Sequence, residues 1–124
     1  MEVKFYRCRI CGQIAVKVKE TKAPLVCCGE RMEELLPDSV DASQEKHVPV
    51  VEVKGNNAIV SIGSEPHPMS KEHFIEWVFL QTEKTNQYRE LKPGMEPAIC
   101  FALCEGDEVK AAYIYCNLHG LWKT

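Results

Sequence analysis

The sequence predicts an all-β protein in which an antiparallel β-sandwich follows a small cysteine-bearing module. Short runs of β-branched and aromatic residues recur through residues 45–124 and are separated by Gly, Asn and Asp turn signals. No long segment has the apolar periodicity of an amphipathic helix. Residues 1–36 instead hold four of the seven cysteines and few large apolar side chains, and this change in composition marks two modules.

The two modules are joined by a polar stretch. Residues 37–44, P-D-S-V-D-A-S-Q, carry no apolar periodicity, and we assign them to a linker. The predicted organisation is therefore a four-cysteine module over residues 1–36, a linker over 37–44 and a sandwich over 45–124.

The first strands of the sandwich are predicted from a hairpin signal. V-V-E-V-K and A-I-V-S-I flank G-N-N at 55–57, and Gly and Asn tolerate the positive φ that a tight turn requires. Further along, H-F-I-E-W-V-F-L is predicted to be extended. Alternation along that strand would place on one face His73, Ile75, Trp77 and Phe79.

A second hairpin is predicted where A-I-C-F-A-L-C and V-K-A-A-Y-I-Y-C are joined by E-G-D-E. Cys100 and Cys104 alternate on one face of the first of these segments. Because free cysteines are commonly buried, we expect both in the core. M-S-K-E-H at 69–73 has room for one helical turn at most.

Composition and charge exclude several classes of protein. The 124 residues are 45% hydrophobic and 27% charged, as in globular proteins. Apolar runs too short to span a bilayer and an N-terminus without a signal-peptide layout predict a cytoplasmic protein with no membrane association. A net charge of −3 argues against a nucleic-acid partner. Seven cysteines without a secretion signal indicate metal binding rather than disulfides.

The first candidate metal site combines a C-x-x-C-G knuckle with a pair of adjacent cysteines. Cys8 and Cys11 converge on one ion, and Gly12 allows the tight turn beneath it. Cys27 and Cys28 supply two further thiolates. Four thiolates suit zinc or a single iron, and the adjacent pair predicts an irregular tetrahedron. Because 36 residues bury little core, a bound metal would supply much of the folding free energy of this module.

The second candidate site gathers the four histidines and one cysteine of the sandwich. Each histidine is predicted at a strand edge or in a loop, where packing does not require it. Neutral imidazoles suit iron, copper, zinc or nickel, and four nitrogens with one sulfur leave one octahedral position open for a small ligand. Blue-copper sites also place Cys and His on a final loop, but no methionine follows here, which disfavours copper. The residues are His47, His67, His73, Cys116 and His119.

Six motifs spread over nearly the whole chain carry a resemblance to a known family. They are F-Y-R-C-R-I-C-G, P-L-V-C-C-G-E, D-A-S-Q-E-K-H-V-P-V, H-P-M-S-K-E-H-F-I-E-W, L-K-P-G and Y-C-N-L-H-G-L-W-K. In this order and spacing they resemble the desulfoferrodoxins, the two-iron class of superoxide reductases.

The resemblance implies two iron sites. One is a distorted tetrahedral iron in a desulforedoxin-like N-terminal module, held by Cys8, Cys11, Cys27 and Cys28. The other is a catalytic iron in an immunoglobulin-like sandwich. Its implied ligands are four equatorial histidines and an axial thiolate, namely His47, His67, His73, His119 and Cys116.

The resemblance also implies an activity and its partners. Superoxide, one electron from ferrous iron and two protons would give hydrogen peroxide and ferric iron, without release of dioxygen. Lys46 would attract superoxide and assist protonation, and Glu45 would occupy the open position once the iron is ferric. The implied electron donor is a rubredoxin-like protein, and the implied assembly is a homodimer.

Two other functions stay open beside the enzyme. One is a structural zinc-binding interaction module, which would hold zinc at the four-cysteine site and show no redox activity. The other is an electron-transfer protein whose metals only carry electrons, with no position for an exchangeable ligand. Reaction of the reduced protein with superoxide, cyanide or azide separates this last function from the enzyme.

Overall fold

The computed structural model describes residues 3–39 and 44–124, except for the side chains of Gln44 and Glu45. The chain divides into two compact units, residues 1–36 and residues 37–124. In the described part of the chain, every strand pair is antiparallel, and one helix of four residues, α1 (Gln44–His47), accompanies the strands. No helix in this part of the chain has the length and apolarity needed to cross a membrane.

The first unit contains a three-stranded sheet and a short hairpin. Among residues 3–36, only Phe5 and Cys8 are fully buried, so the described side chains of this unit form little apolar core. The sheet has the order β2-β1-β5 and the hairpin pairs β3 with β4. The strands are β1 (Phe5–Arg7), β2 (Ile14–Val16), β3 (Val26–Cys27), β4 (Glu30–Arg31) and β5 (Glu33–Leu35).

The second unit is a β-sandwich of two antiparallel sheets. One sheet has the order β10-β7-β6 and the other the order β12-β11-β8-β9. The first contains β6 (Pro49–Lys54), β7 (Asn57–Ile62) and β10 (Ala98–Ala102). The second contains β8 (Ile75–Thr82), β9 (Asn86–Glu90), β11 (Val109–Cys116) and β12 (Gly120–Lys123). The prediction of an all-β fold with an antiparallel sandwich is confirmed.

The core lies between the two sheets and comes from one face of each. In β7 the alternate residues Ala58, Val60 and Ile62 are buried, as period-2 burial requires. They share one apolar cluster with Ile114 of β11 and Trp122 of β12. The predicted hairpin between β6 and β7 is also confirmed, with a positive φ of 58° at residue 55 in its two-residue turn.

The predicted hairpin around E-G-D-E is wrong. β10 pairs with β7, whereas β11 pairs with β8 and β12, so this turn carries the chain from one sheet to the other. Both strands have a face to bury, and in a sandwich they bury it against the opposite sheet. The core prediction for Cys100 and Cys104 is wrong as well, since both are exposed. The inward residues of β10 are Ile99 and Phe101.

The predicted face along residues 73–79 is interrupted by a β-bulge. Ile75 pairs with Cys116 and Trp77 pairs with Tyr115, which leaves one extra residue in β8. Beyond the bulge the core positions are Val78 and Leu80 rather than the predicted alternates. Residues 70–73 form bends, and residues 69–73 contain no helical turn.

The start of the predicted linker contacts the sandwich. The N–H of Asp38 donates to the carbonyl of Leu121 over 2.8 Å, and its Oδ1 accepts from the N–H of Lys123 over 3.3 Å. Residues 40–43 of that linker lie outside the described residues.

Candidate metal centres

The four cysteines of the first unit lie together. Their sulfur atoms all fall within 4.8 Å of one another, with 3.6 Å between the Sγ atoms of Cys11 and Cys27 and 3.9 Å between those of Cys27 and Cys28. A tetrahedral ion with metal–sulfur bonds of about 2.3 Å separates its sulfurs by about 3.8 Å. The sulfur geometry therefore fits one tetrahedral metal ion.

Backbone turns bring these cysteines together. Cys8 follows β1, and its carbonyl accepts the N–H of Gly12 over 2.9 Å, a turn in which Gly12 has a φ of 82°. The N–H of Cys11 points at the Sγ of Cys8 over 3.5 Å. In the second turn Cys28 has a φ of 52°, unusual for a residue with a side chain, and Gly29 follows at 77°. Because the second pair is adjacent, the backbone must turn within it.

The thiols of this cluster do not all lose their protons in the same pH range. Backbone hydrogen bonding from Cys11 is the main cause that lowers the pKa of Cys8 to about 6. Hydrogen bonding to the Cys11 and Cys8 side chains, together with burial, raises the pKa of Cys27 to about 12. A cation at the centre would remove this conflict, since a metal binds thiolates and displaces their protons.

The second cluster lies at one end of the sandwich. His47 ends α1 just before β6, Cys116 ends β11, and His119 lies in the turn to β12. His67 and His73 lie in the connection from β7 to β8. Antiparallel pairing places these chain ends side by side, because the start of β6 pairs with the end of β7 and the end of β11 pairs with the starts of β8 and β12.

The four imidazoles form a nearly square array. Neighbouring ring centroids are 4.7 Å apart for His47 and His67, 4.6 Å for His67 and His73, 5.0 Å for His73 and His119, and 4.7 Å for His119 and His47. The diagonal from His47 to His73 is longer, at 6.3 Å. The structure thus brings together all four histidines that the sequence analysis selected.

The nitrogen atoms of this array face inward. The Nε2 of His47 lies 3.1 Å from the Nε2 of His67 and 3.0 Å from the Nδ1 of His119. Two ligands at right angles on a metal with bonds of about 2.1 Å are about 3.0 Å apart, so these spacings fit neighbouring ligands. The Sγ of Cys116 lies 3.8 Å from the Nδ1 of His119 and within 4.8 Å of the ligand atoms of the other three histidines.

Burial keeps the donors in a form that suits a metal. Burial is the main cause that lowers the pKa of His67 to about 4, and it also lowers the pKa of His73. Both imidazoles are therefore neutral at pH 7, as metal ligation requires. The Nε2 of His73 is buried and finds no hydrogen-bond partner in the described part of the chain, as expected of a ligand atom. Burial raises the pKa of Cys116, so metal binding there must displace a proton.

Three residues that the sequence analysis gave no role at the site support the ligands. The Nδ1 of His67 lies 2.6 Å from the carbonyl of Pro68, which selects the tautomer that leaves Nε2 free to ligate. Trp122 stacks on His47 and donates from Nε1 to the carbonyl of His119 over 3.1 Å. Asn117 bonds to the segment that carries His73. Their only sequence signal is proximity to a ligand within the motifs.

Comparison with known proteins identifies the family. A family model described as desulfoferrodoxin matches residues 39–124, and one described as the desulfoferrodoxin N-terminal domain matches residues 1–35. The chain belongs to the desulfoferrodoxin family. The desulfoferrodoxin of Syntrophotalea carbinolica is 41% identical over 124 residues, covering 99% of this chain and 96% of that protein.

Two superoxide reductases are also similar to this chain. The crystal structure of the superoxide reductase from Treponema pallidum superposes with a TM-score of 0.86 at 38% identity, covering 100% of this chain and 99% of that one. The superoxide reductase of Pyrococcus horikoshii is 35% identical over 106 residues, covering 69% of this chain and 90% of that protein. The desulforedoxin-like module and the immunoglobulin-like sandwich are thus both present in this chain.

The two predicted catalytic residues directly precede His47 in the sequence. Lys46 is exposed, immediately before His47. Its positive charge contributes to the lowered pKa of His73, after burial and the charge of His119. The side chain of Glu45 lies outside the described residues.

Proposed function

We propose that this protein is a superoxide reductase that converts superoxide to hydrogen peroxide at an iron ion held by the four histidines and Cys116. The near-square array of imidazoles beside a buried cysteine carries the proposal. Imidazole nitrogens with a thiolate suit iron, and five protein donors leave one octahedral position for a small ligand. The names of the similar superoxide reductases support the same activity.

The bound iron would supply one electron to superoxide, which takes up two protons and leaves as hydrogen peroxide. The remaining chemistry falls to the chain itself. Cys116 is fully buried, which shields its sulfur from solvent. Burial lowers the pKa of His67 to about 4 and also lowers the pKa of His73, which favours the neutral form of both ligands.

Lys46 and Glu45 are the proposed catalytic residues around the open position. Lys46 is an exposed cation in a chain whose net charge of −3 cannot itself attract an anion, so it would draw superoxide in locally and assist protonation. Glu45 would close the open position in the oxidised protein, as its place in E-K-H-V-P suggests by resemblance.

The proposal extends to partners and setting. An external donor, proposed to be a rubredoxin-like protein, would return the electron after each turnover. The four-cysteine cluster is proposed to hold a second iron, and the protein is proposed to be a cytoplasmic homodimer. These statements rest on family resemblance and on the four-thiolate chemistry of the first unit.

The test begins with iron, zinc and copper content per chain in protein purified without chelators. About two irons per chain are expected, one for each cluster. The reduced protein is then mixed with superoxide, and one hydrogen peroxide per superoxide is expected with no dioxygen. Zinc alone would favour the structural module. Two irons that do not react with superoxide, cyanide or azide would favour the electron-transfer protein.

A matched variant separates the two clusters. Cys116→Ser should abolish superoxide reduction while the absorption of the four-cysteine site stays unchanged. Undiminished activity in this variant would contradict the proposed role of Cys116.

A further inference from the structure

Asn117 joins the two chain segments that carry the metal ligands. It follows Cys116 directly and precedes His119 by two residues. Its Nδ2 donates to the carbonyl of Glu72 over 2.9 Å, and its Oδ1 accepts the N–H of Phe74 over 2.9 Å. Both partners are more than 40 residues away in the sequence, so these bonds are tertiary contacts rather than local turn contacts.

The two partners of Asn117 lie on either side of His73. A single amide side chain therefore holds the backbone both before and after this histidine. A third bond adds to this, since the backbone N–H of Asn117 donates to the carbonyl of Phe74 over 3.2 Å. The regular ladder between β8 and β11 ends at the pair of Ile75 and Cys116, and Asn117 continues the bonding beyond the strand.

His73 needs such support because its local hydrogen bonds come from Ser70 of its own loop and do not tie it to the segment of Cys116 and His119. Ser70 bonds to the backbone of His73, with 3.0 Å from the Ser70 N–H to the His73 carbonyl, and so shapes the bend before β8. That bend sets the position of His73 relative to its own loop but not relative to Cys116 and His119. The Nε2 of His73 is also held by no hydrogen bond in the described part of the chain.

We propose that Asn117 is a positioning residue that fixes His73 against Cys116 and His119 and thereby sets the geometry and retention of the metal in this cluster. Residues that orient ligands from outside typically change metal affinity by about 10- to 100-fold when they are altered. The inference rests on the metal site of the proposed function but not on its substrate.

The test uses the iron-loaded full chain and two variants. Asn117→Ala removes both side-chain bonds. Asn117→Asp keeps an acceptor for the N–H of Phe74 but loses donation to the carbonyl of Glu72. The matched control is Asn86→Ala, at an exposed asparagine that begins β9, away from the cluster end of β8. The first readout is the rate of iron release to a chelator. The second is the absorption of the ferric histidine–cysteine site, which is obtained by subtracting the spectrum of Cys116→Ser.

We expect Asn117→Ala to release this iron about 10 to 100 times faster than the unaltered chain and to shift the absorption band. The rate of iron release from Asn117→Asp should fall between the rates of Asn117→Ala and of the unaltered chain. The rate of Asn86→Ala should match that of the unaltered chain. If Asn117→Ala fails to fold, Asn117→Asp decides. If both Asn117 variants release iron at the unaltered rate and keep the unaltered absorption band, the inference is wrong, even if their melting temperatures fall. The proposed function would not be affected by this result. Absence of iron from this cluster in the unaltered chain would overturn the proposed function as well.

Discussion

The indole of Trp122 stacks on the imidazole of His47, with ring centroids 5.0 Å apart and planes inclined by 24°. Trp122 also donates from Nε1 to the carbonyl of His119, so one core side chain contacts two ligand residues. It is 2% exposed and belongs to the apolar cluster of the sandwich. The histidine array is therefore anchored to the core and not only to its loops.

Trp122→Ala should lower the free energy of unfolding of the sandwich by about 3–5 kcal/mol, because it opens a cavity in the core. Trp122→Phe should cost less, since a ring still faces His47 while the hydrogen bond to His119 is lost. Chemical denaturation checks both values. Trp77→Phe is the control for Trp122→Phe, because Trp77 stacks on Tyr115. A loss of stability in Trp122→Phe no larger than in Trp77→Phe would contradict the anchoring role.

Lys46→Ala should slow the reaction with superoxide by about tenfold and weaken its dependence on ionic strength, because a local cation attracts the anion and salt screens that attraction. Iron content should not change, since Lys46 is not among the ligands. Stopped-flow rates at several salt concentrations provide the measurement.

The matched control for Lys46→Ala is Lys54→Ala. Lys54 is equally a surface cation, but it ends β6 at the hairpin, the opposite end of the strand from His47, and lies 3.3 Å from Glu52. This variant should leave the rate and its salt dependence unchanged. Equal slowing in both variants would mean that overall charge matters and that Lys46 has no local role.

The composition of the metal clusters follows from the sequence, but their convergence does not. Cys8 and Cys11 are close in the chain, so their spacing alone predicts a shared ion. His47, His67 and His73 meet Cys116 only because strands of two sheets end together. That depends on strand pairing, which single-sequence patterns do not determine.

Three predictions about the strands are wrong, because each depends on tertiary contacts rather than on the local sequence. The E-G-D-E turn after β10 has the residues of a hairpin, yet the same residues also serve a connection between sheets. One extra residue in β8 reverses the alternation after Ile75, and no local sequence signal marks it. In β10 the residues alternate as predicted, but the inward residues are Ile99 and Phe101 rather than Cys100, because they bury more apolar surface.

The exposure of Cys100 and Cys104 makes a direct prediction about thiol reactivity. In the iron-loaded folded protein, alkylation should modify these two cysteines, whereas Cys116 is fully buried and the remaining four lie in the thiolate cluster. Mass spectrometry should therefore show two adducts per chain before unfolding and seven after unfolding with a chelator. Modification of Cys100 only after unfolding would contradict its placement on the outer face of β10.

Asp107 secures the turn that carries the chain between the sheets. Its Oδ2 accepts the hydroxyl of Thr82 over 2.6 Å, and its Oδ1 accepts the N–H of Lys84 over 3.0 Å and the N–H of Glu108 over 2.9 Å. Burial raises the pKa of Asp107, but these hydrogen bonds outweigh it and hold the carboxyl pKa below its usual value of 3.8.

Asp107→Asn should therefore destabilise the sandwich in a pH-dependent way. A carboxyl whose pKa is lower in the folded than in the unfolded state stabilises the fold above its unfolded pKa, and this contribution is lost as the pH falls through the folded pKa. The difference in unfolding free energy between the unaltered chain and Asp107→Asn should thus be largest near pH 7 and shrink below about pH 4. Denaturation at a series of pH values measures it, with Glu105→Gln in the same exposed turn as the control for removal of one charge. A difference that stays constant down to pH 2 would show that the hydrogen bonds of the Asp107 carboxylate do not depend on its charge.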